Sequence, residues 1–137
     1  MRVLGIDYGQ ARVGLAMSDP EGRMVFPRPA IKKTTRDALF AALVSLVEAE
    51  NVEAVVVGLP LTLDGGESLT TRQARNFAES LARRINAPVH LMDERLSSAE
   101  AEAQLKEAGL CSRKIKSRLD SQAAKLILES WLNQNRP

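Results

Sequence analysis

Residues 2–18 read Arg2-Val3-Leu4-Gly5-Ile6-Asp7-Tyr8-Gly9-Gln10-Ala11-Arg12-Val13-Gly14-Leu15-Ala16-Met17-Ser18. Val3, Leu4 and Ile6 mark a short apolar strand over 2–7. Tyr8-Gly9-Gln10 supplies a turn. Over 12–18, Val13, Leu15 and Met17 alternate with small residues, as in a second strand. Asp19-Pro20-Glu21-Gly22 is another turn signal, and 24–31 reads as a third strand. Pro27 and Pro29 each lack a ladder donor, which places this strand at an edge. The chain therefore opens with a three-stranded antiparallel meander, and Asp7 closes its first strand.

Beyond the meander the period changes. Thr35 can cap a helix over 36–50, with Leu39, Leu43, Leu46 and Val47 along one face. The Val-rich run 52–57 fits a strand buried on both faces. Residues 58–70, with Pro60 and Asp64-Gly65-Gly66, form a loop long enough to be functional. A second helix is expected over 71–86, where Ala74, Phe77, Ala78, Leu81, Ala82 and Ile85 form a stripe. A fifth strand follows at 89–92. Ser97-Ser98-Ala99-Glu100 fits a capping box opening a helix that ends near Gly109. Residues 112–118 are short, polar and basic, and a last helix is expected over 119–133. Three meander strands and two α-β units predict an α/β fold, with a mixed five-stranded sheet, helices on its faces and right-handed crossovers. Trp131, Phe40 and Phe77 fall on apolar faces and read as core.

The 137 residues, 45% of them hydrophobic, suit one domain spanning 1–137 and exclude a self-contained two-lobed enzyme. The longest uncharged run considered for a bilayer, 38–47, falls far short of the ~18 apolar residues of a span. No basic-then-apolar leader precedes the first strand, which predicts a protein that is not secreted. The single cysteine, Cys111, permits no intrachain disulfide and favours the cytoplasm. One histidine, His90, cannot build a histidine zinc site and reads as an ordinary strand residue. Any hydrolytic chemistry must come from carboxylates, hydroxyls or added metal. Net charge is +2, unevenly spread: residues 37–71 carry six acids and no Lys or Arg, while both ends are basic. Where those ends meet, an anionic polymer could bind.

Three carboxylate positions stand out. Asp7 lies in a strand of Val, Leu and Ile, where an aspartate is costly unless hydrogen bonds, a base or a metal compensate it. Gly5 and Gly9 flank it and let backbone or a ligand approach. Asp93-Glu94-Arg95 follows the fifth strand at its carboxyl end, where ligands gather in open α/β sheets. Asp120 is expected one turn into the last helix, a position the helix dipole also favours for an acid. Together they describe oxygen ligands for Mg²⁺ or Mn²⁺. Two such ions ~3.5–4 Å apart can activate a water and stabilise the leaving oxygen of a phosphodiester. Arg113, Lys114, Lys116 and Arg118 would set phosphate-binding charge beside them. Arg72 and Arg75 open the second helix as further candidates, and Arg95 pairs with Asp93 or contacts phosphate. Tyr8 could stack on a base or simply pack.

Gly5-Ile6-Asp7-Tyr8-Gly9, Arg12-Val13-Gly14-Leu15-Ala16, Gly58-Leu59-Pro60, Asp93-Glu94-Arg95-Leu96-Ser97-Ser98 and Asp120-Ser121-Gln122-Ala123-Ala124 resemble, in order and over nearly the whole chain, the YqgF/RuvX family. Its members are described as Holliday junction resolvases or as nucleases that process the precursor of 16S ribosomal RNA. The resemblance implies a ribonuclease H-like fold with sheet order 3-2-1-4-5. It implies a metal-dependent nuclease whose acidic site maps to Asp7, Glu94 and Asp120, with Asp93 an uncertain neighbour. Asp7 would bridge two ions, Glu94 and Asp120 would each hold one, and the products would be a 5′-phosphate and a 3′-hydroxyl. The chain departs from the family in having Ser97-Ser98 where Thr-Thr is frequent. Some related resolvases are expected to carry a second acid one turn beyond Asp120, where this chain has Ala123, Ala124 and Ile127.

The expected role is processing of the 16S precursor at its 5′ end, in ribosome biogenesis. The alternative is resolution of four-way DNA junctions, which needs two symmetric sites and hence a homodimer. RNA, DNA and junctions would all present phosphates to this site, and the sequence does not choose among them. Two other classes are less favoured: a non-catalytic RNA-binding module, and a nucleotide binder of the actin-like ATPase type, which needs two lobes.

Overall fold

The computed structural model describes residues 1–60, 66–93 and 112–135, with side chains in the last segment from Ser121 onward. The elements are β1 (Val3–Tyr8), β2 (Arg12–Ser18), β3 (Val25–Lys32), α1 (Arg36–Ala49), β4 (Ala54–Leu59), α2 (Leu69–Ala82), β5 (Val89–Asp93) and α3 (Ser112–Gln134). The five strands form one sheet in the order β3-β2-β1-β4-β5. β1 and β2 pair antiparallel, as do β2 and β3, while β4 lies parallel to β1 and β5 parallel to β4. The meander, the edge position of β3 and the two α-β units thus stand as the sequence predicts.

The turn chemistry is local. Gly22 takes φ 71°, which a residue with a Cβ rarely adopts. Asp19 Oδ1 accepts from the Arg23 and Met24 N–H groups at 2.7 and 3.3 Å. These bonds, that from Arg23 first, hold its carboxyl below the usual carboxylate range.

Strand alternation divides the core in two. Leu4, Ile6, Val13, Leu15, Val55 and Val57 face α1 and α2, where they meet Leu39, Phe40, Leu43, Phe77 and Leu81. Val3, Ala16, Ala54 and Val56 face α3 and meet Ala124, Ile127, Leu128 and Leu132. β4 is buried along its whole length, as its Val-rich run requires.

Two helices depart from the expected boundaries. α2 starts at Leu69, because Ser68 caps it: its side chain accepts from the Thr71 N–H while Thr71 returns a bond to the Ser68 N–H. A threonine completes this capping box where Glu or Gln is usual, so the signal is easy to miss. Ile85 falls beyond the helix end yet still packs on the core. α3 begins at Ser112, so the polar, basic stretch 112–118 is helical. Lys and Arg are good helix formers, but this segment lacks the apolar period that marks a helix in sequence. The helix expected between Ser97 and Gly109, and Cys111, lie outside the described residues.

Candidate active site

Asp7 occupies the penultimate position of β1, with 8% of its surface exposed. Alternation puts it on the same face as Val3 and Gly5, the face covered by α3. Its antiparallel partner is Gly14. On the parallel side Ile6 pairs with Val57, so Gly58 stands level with Asp7. The carboxylate is thus flanked along the sheet by two residues without side chains, at the carboxyl end of the parallel strands.

α3 descends toward this point. A Cβ on Gly5 would meet Leu128 Cβ at 2.8 Å and the Ala124 carbonyl oxygen at 3.0 Å. Gly5 therefore admits the helix itself, resolving whether backbone or ligand uses the space it leaves. Leu132 lies near Gly22 and the chain start, whereas Ser121 lies beside Leu15, the partner of Ile6. The helix thus runs antiparallel to β1, and its turn at Asp120 arrives at the level of Asp7.

Ser121 fixes that register. The β2–β3 ladder shifts between Val13 and Leu15. There the Ser121 hydroxyl donates to the Arg28 carbonyl at 2.6 Å and accepts from the Leu15 N–H at 3.5 Å. One side chain from α3 joins two strands where their own register breaks. Sequence reasoning assigns Ser121 no role; the available signal is a hydroxyl amid Ala and Leu, next to a candidate carboxylate.

Asp120 lies more than two turns inside α3, so the dipole explanation of this acid does not hold. Arg113, Lys114, Lys116 and Arg118 occupy the preceding turns of the same helix. Glu94 and Arg95 lie outside the described residues. Asp93 ends β5 opposite Leu59. Val89 packs on the α1/α2 side and Met92 on the α3 side, so Asp93 falls on the face away from Asp7. Arg72 is exposed on α2, and Arg75 is ion-paired with Glu67. His90, on β5, packs against the half-buried Trp131 with ring centres 5.1 Å apart and ring planes tilted by 32°.

Among the described residues no three His, Cys, Asp or Glu side chains stand together as a metal site. The donor chemistry nonetheless suits a hard cation. A buried carboxylate on a surface of Val, Ala and Gly needs compensating charge or hydrogen bonds, and carboxylate oxygen is the ligand type Mg²⁺ and Mn²⁺ prefer.

Comparison with known proteins adds to this geometry. A family model described as RuvX, Holliday junction resolvase, matches residues 1–134. A protein of Maridesulfovibrio salexigens named "Putative pre-16S rRNA nuclease" is 60% identical over 132 residues, 96% of this chain and 98% of that protein. One of the same name from Nitratidesulfovibrio vulgaris (strain Miyazaki F) is 56% identical over 133 residues, 97% of this chain and 94% of its own. In three dimensions the chain is similar to Thermus thermophilus RuvC solved with a Holliday junction, with TM-score 0.59, 19% identity and 100% and 99% of the two chains covered. It is similar also to the fowlpox virus resolvase solved with junction DNA, with TM-score 0.58, 12% identity and 98% of each chain covered. These structural likenesses establish the resolvase-type, ribonuclease H-like fold.

Proposed function

The chain belongs to the RuvX family, and from that premise we propose that it is a nuclease hydrolysing phosphodiester bonds of the 16S ribosomal RNA precursor at its 5′ end. The observation that carries this reading is the placement of Asp7: a buried carboxylate at the carboxyl edge of the sheet, between two glycines, facing the helix turn that holds Asp120. The names of the curated relatives support the RNA substrate.

Asp7, Glu94 and Asp120 would hold Mg²⁺ or Mn²⁺. When bound, such ions supply Lewis acidity and an activated water. The residues of the chain then have distinct tasks. Gly14 and Gly58 keep the flanks of Asp7 low enough for a phosphate to approach. Lys114, Lys116, Arg118 and Arg113 neutralise the strand along α3, with Arg72 and Arg95 as further contacts. Arg75 contributes less, because Glu67 already engages it. Water adds to phosphorus and the bond to O3′ breaks, leaving a 5′-phosphate and a 3′-hydroxyl. Among the described residues no helix is long and apolar enough to cross a membrane. The cytoplasm, where ribosomal RNA is processed, is the proposed compartment.

A second reading, junction resolution, is favoured by the family description and by the likeness to junction resolvases. It requires a homodimer with two symmetric sites.

The test is cleavage of single-stranded RNA, single-stranded DNA and a four-way junction by the wild type and by Asp7→Asn, with Mn²⁺, Mg²⁺ or chelator. Metal-dependent cleavage of RNA that vanishes in Asp7→Asn is the expected outcome. Paired nicking of the junction in preference to RNA selects the resolvase. Equal cleavage by both proteins removes Asp7 from the mechanism.

A further inference from the structure

On the face of the sheet opposite Asp7, a cavity of about 510 Å³ opens between the start of α1, the middle of α2 and the turn after β1. That volume falls within the range of small-ligand sites. Its wall is an aromatic stack: Tyr8 lies on Phe77 with ring centres 4.3 Å apart and an interplanar angle of 21°, and Phe77 lies on Phe40 at 5.6 Å. Three cations stand over this stack: Arg84, 4.2 Å from the Phe40 ring centre, and two that line the cavity. Lys33 Nζ sits 4.1 Å from the Tyr8 ring centre and 3.2 Å from the Gly9 carbonyl oxygen. The Arg36 guanidinium sits 5.3 Å from the Phe40 ring centre and donates to Ser80 Oγ at 3.0 Å. Neither cation meets a carboxylate among the described residues, and no acid is among those lining the cavity. Gln73 and Asn76, both exposed on α2, add carboxamides to the rim.

Two positive charges resting on rings and neutral oxygens retain most of their capacity for an anion. Carboxamides offer donor and acceptor side by side, the pairing that reads a base edge. The combination matches one ligand chemistry: a phosphate joined to a hydrogen-bonding heterocycle. We propose that this cavity binds a single unpaired nucleotide of the substrate strand. The inference rests on the nuclease reading and deepens it. Tyr8 and Asp7 are consecutive and point to opposite faces, so a strand crossing the carboxyl edge of β1 touches both sites. The phosphate contacts Lys33 and Arg36, and the base lies against Gln73 and Asn76.

Binding is measured in chelator on Asp7→Asn protein, so that no cleavage is involved. The probes are adenosine 5′-monophosphate and a short fluorescein-labelled single-stranded RNA. The variant is Lys33→Gln/Asn76→Ala, which changes side chains at the cavity rim and is checked for an unchanged melting temperature. A second variant, Gln73→Ala, covers the case in which the first fails to fold. The expected result is weaker binding of both probes, by about tenfold for the double variant. Unchanged binding of both probes overturns the proposal, as does an Asp7→Asn protein with the cavity intact that fails to bind the monophosphate at millimolar concentration. Loss for the monophosphate alone assigns the cavity to a free nucleotide and overturns the strand assignment. Loss for RNA alone reduces the cavity to diffuse surface charge and overturns it equally. Because cleavage is not read, a failed nuclease assay and a failed cavity assay are distinguishable.

Discussion

Ser121 places a single hydroxyl where two strands lose register, and it stands next to Asp120. Removing it leaves the buried Leu15 N–H and the partly buried Arg28 carbonyl without this partner. Ser121→Ala is expected to cost about 1–3 kcal/mol in chemical denaturation. If the bond also positions the adjacent acid, cleavage by this variant needs more Mn²⁺ for half-maximal rate, and Ser121→Thr, which keeps the hydroxyl, restores the midpoint. A variant that is less stable but has an unchanged Mn²⁺ midpoint assigns Ser121 to folding alone. At this scale the sequence was informative about Asp7, because a charge in a Val-Leu-Ile strand demands an explanation. It was silent about Ser121, whose partners lie 93 and 106 residues away. It also left Asp93 undecided, and strand alternation removes that residue from the face of Asp7.

Among the elements, α3 and β1 approach unusually closely, and Gly5 is the reason. A methyl group there meets Leu128 Cβ at 2.8 Å and a backbone oxygen at 3.0 Å, and the backbone cannot swing aside as a flexible side chain would. Gly5→Ala is therefore expected to destabilise the fold by about 1–3 kcal/mol and to lift the Asp120 turn from Asp7. Leu128→Gly, which removes the facing Cβ, gives less than additive destabilisation when combined with Gly5→Ala. Additive effects in the double-mutant cycle would show that the two positions are independent. Strand order and meander were legible because turns and apolar alternation are local signals. The start of α3 was not, since its first turns carry charge where a core-facing helix shows period. The start of α2 hid behind a threonine in an unconventional capping box.

Charge is sorted along the whole molecule. Glu50 pairs with Arg2 and Arg28, and Glu53 with the N-terminal ammonium, so these two acids of the middle third neutralise cations remote from the Asp7 edge, while Glu67 of the same block engages Arg75. Lys33, Arg36 and Arg72 remain near the carboxyl edge, and the basic turns of α3 precede Asp120. Part of the basic first end is thus already paired. Lys114→Gln/Lys116→Gln is predicted to flatten the salt dependence of single-stranded RNA binding, reducing the log–log slope by about 1.4. Arg23→Gln, at the far turn, should leave the slope unchanged in the same titration.

The bonds from Ser121 to Leu15 and Arg28 tie α3 back to β2 and β3. The strand bearing Asp7 is made well before the helix bearing Asp120. A nascent chain therefore lacks one wall of the proposed site until that helix is made and docks. The proposed cutting centre is thus a late product of folding, completed after the sheet that carries its first acid.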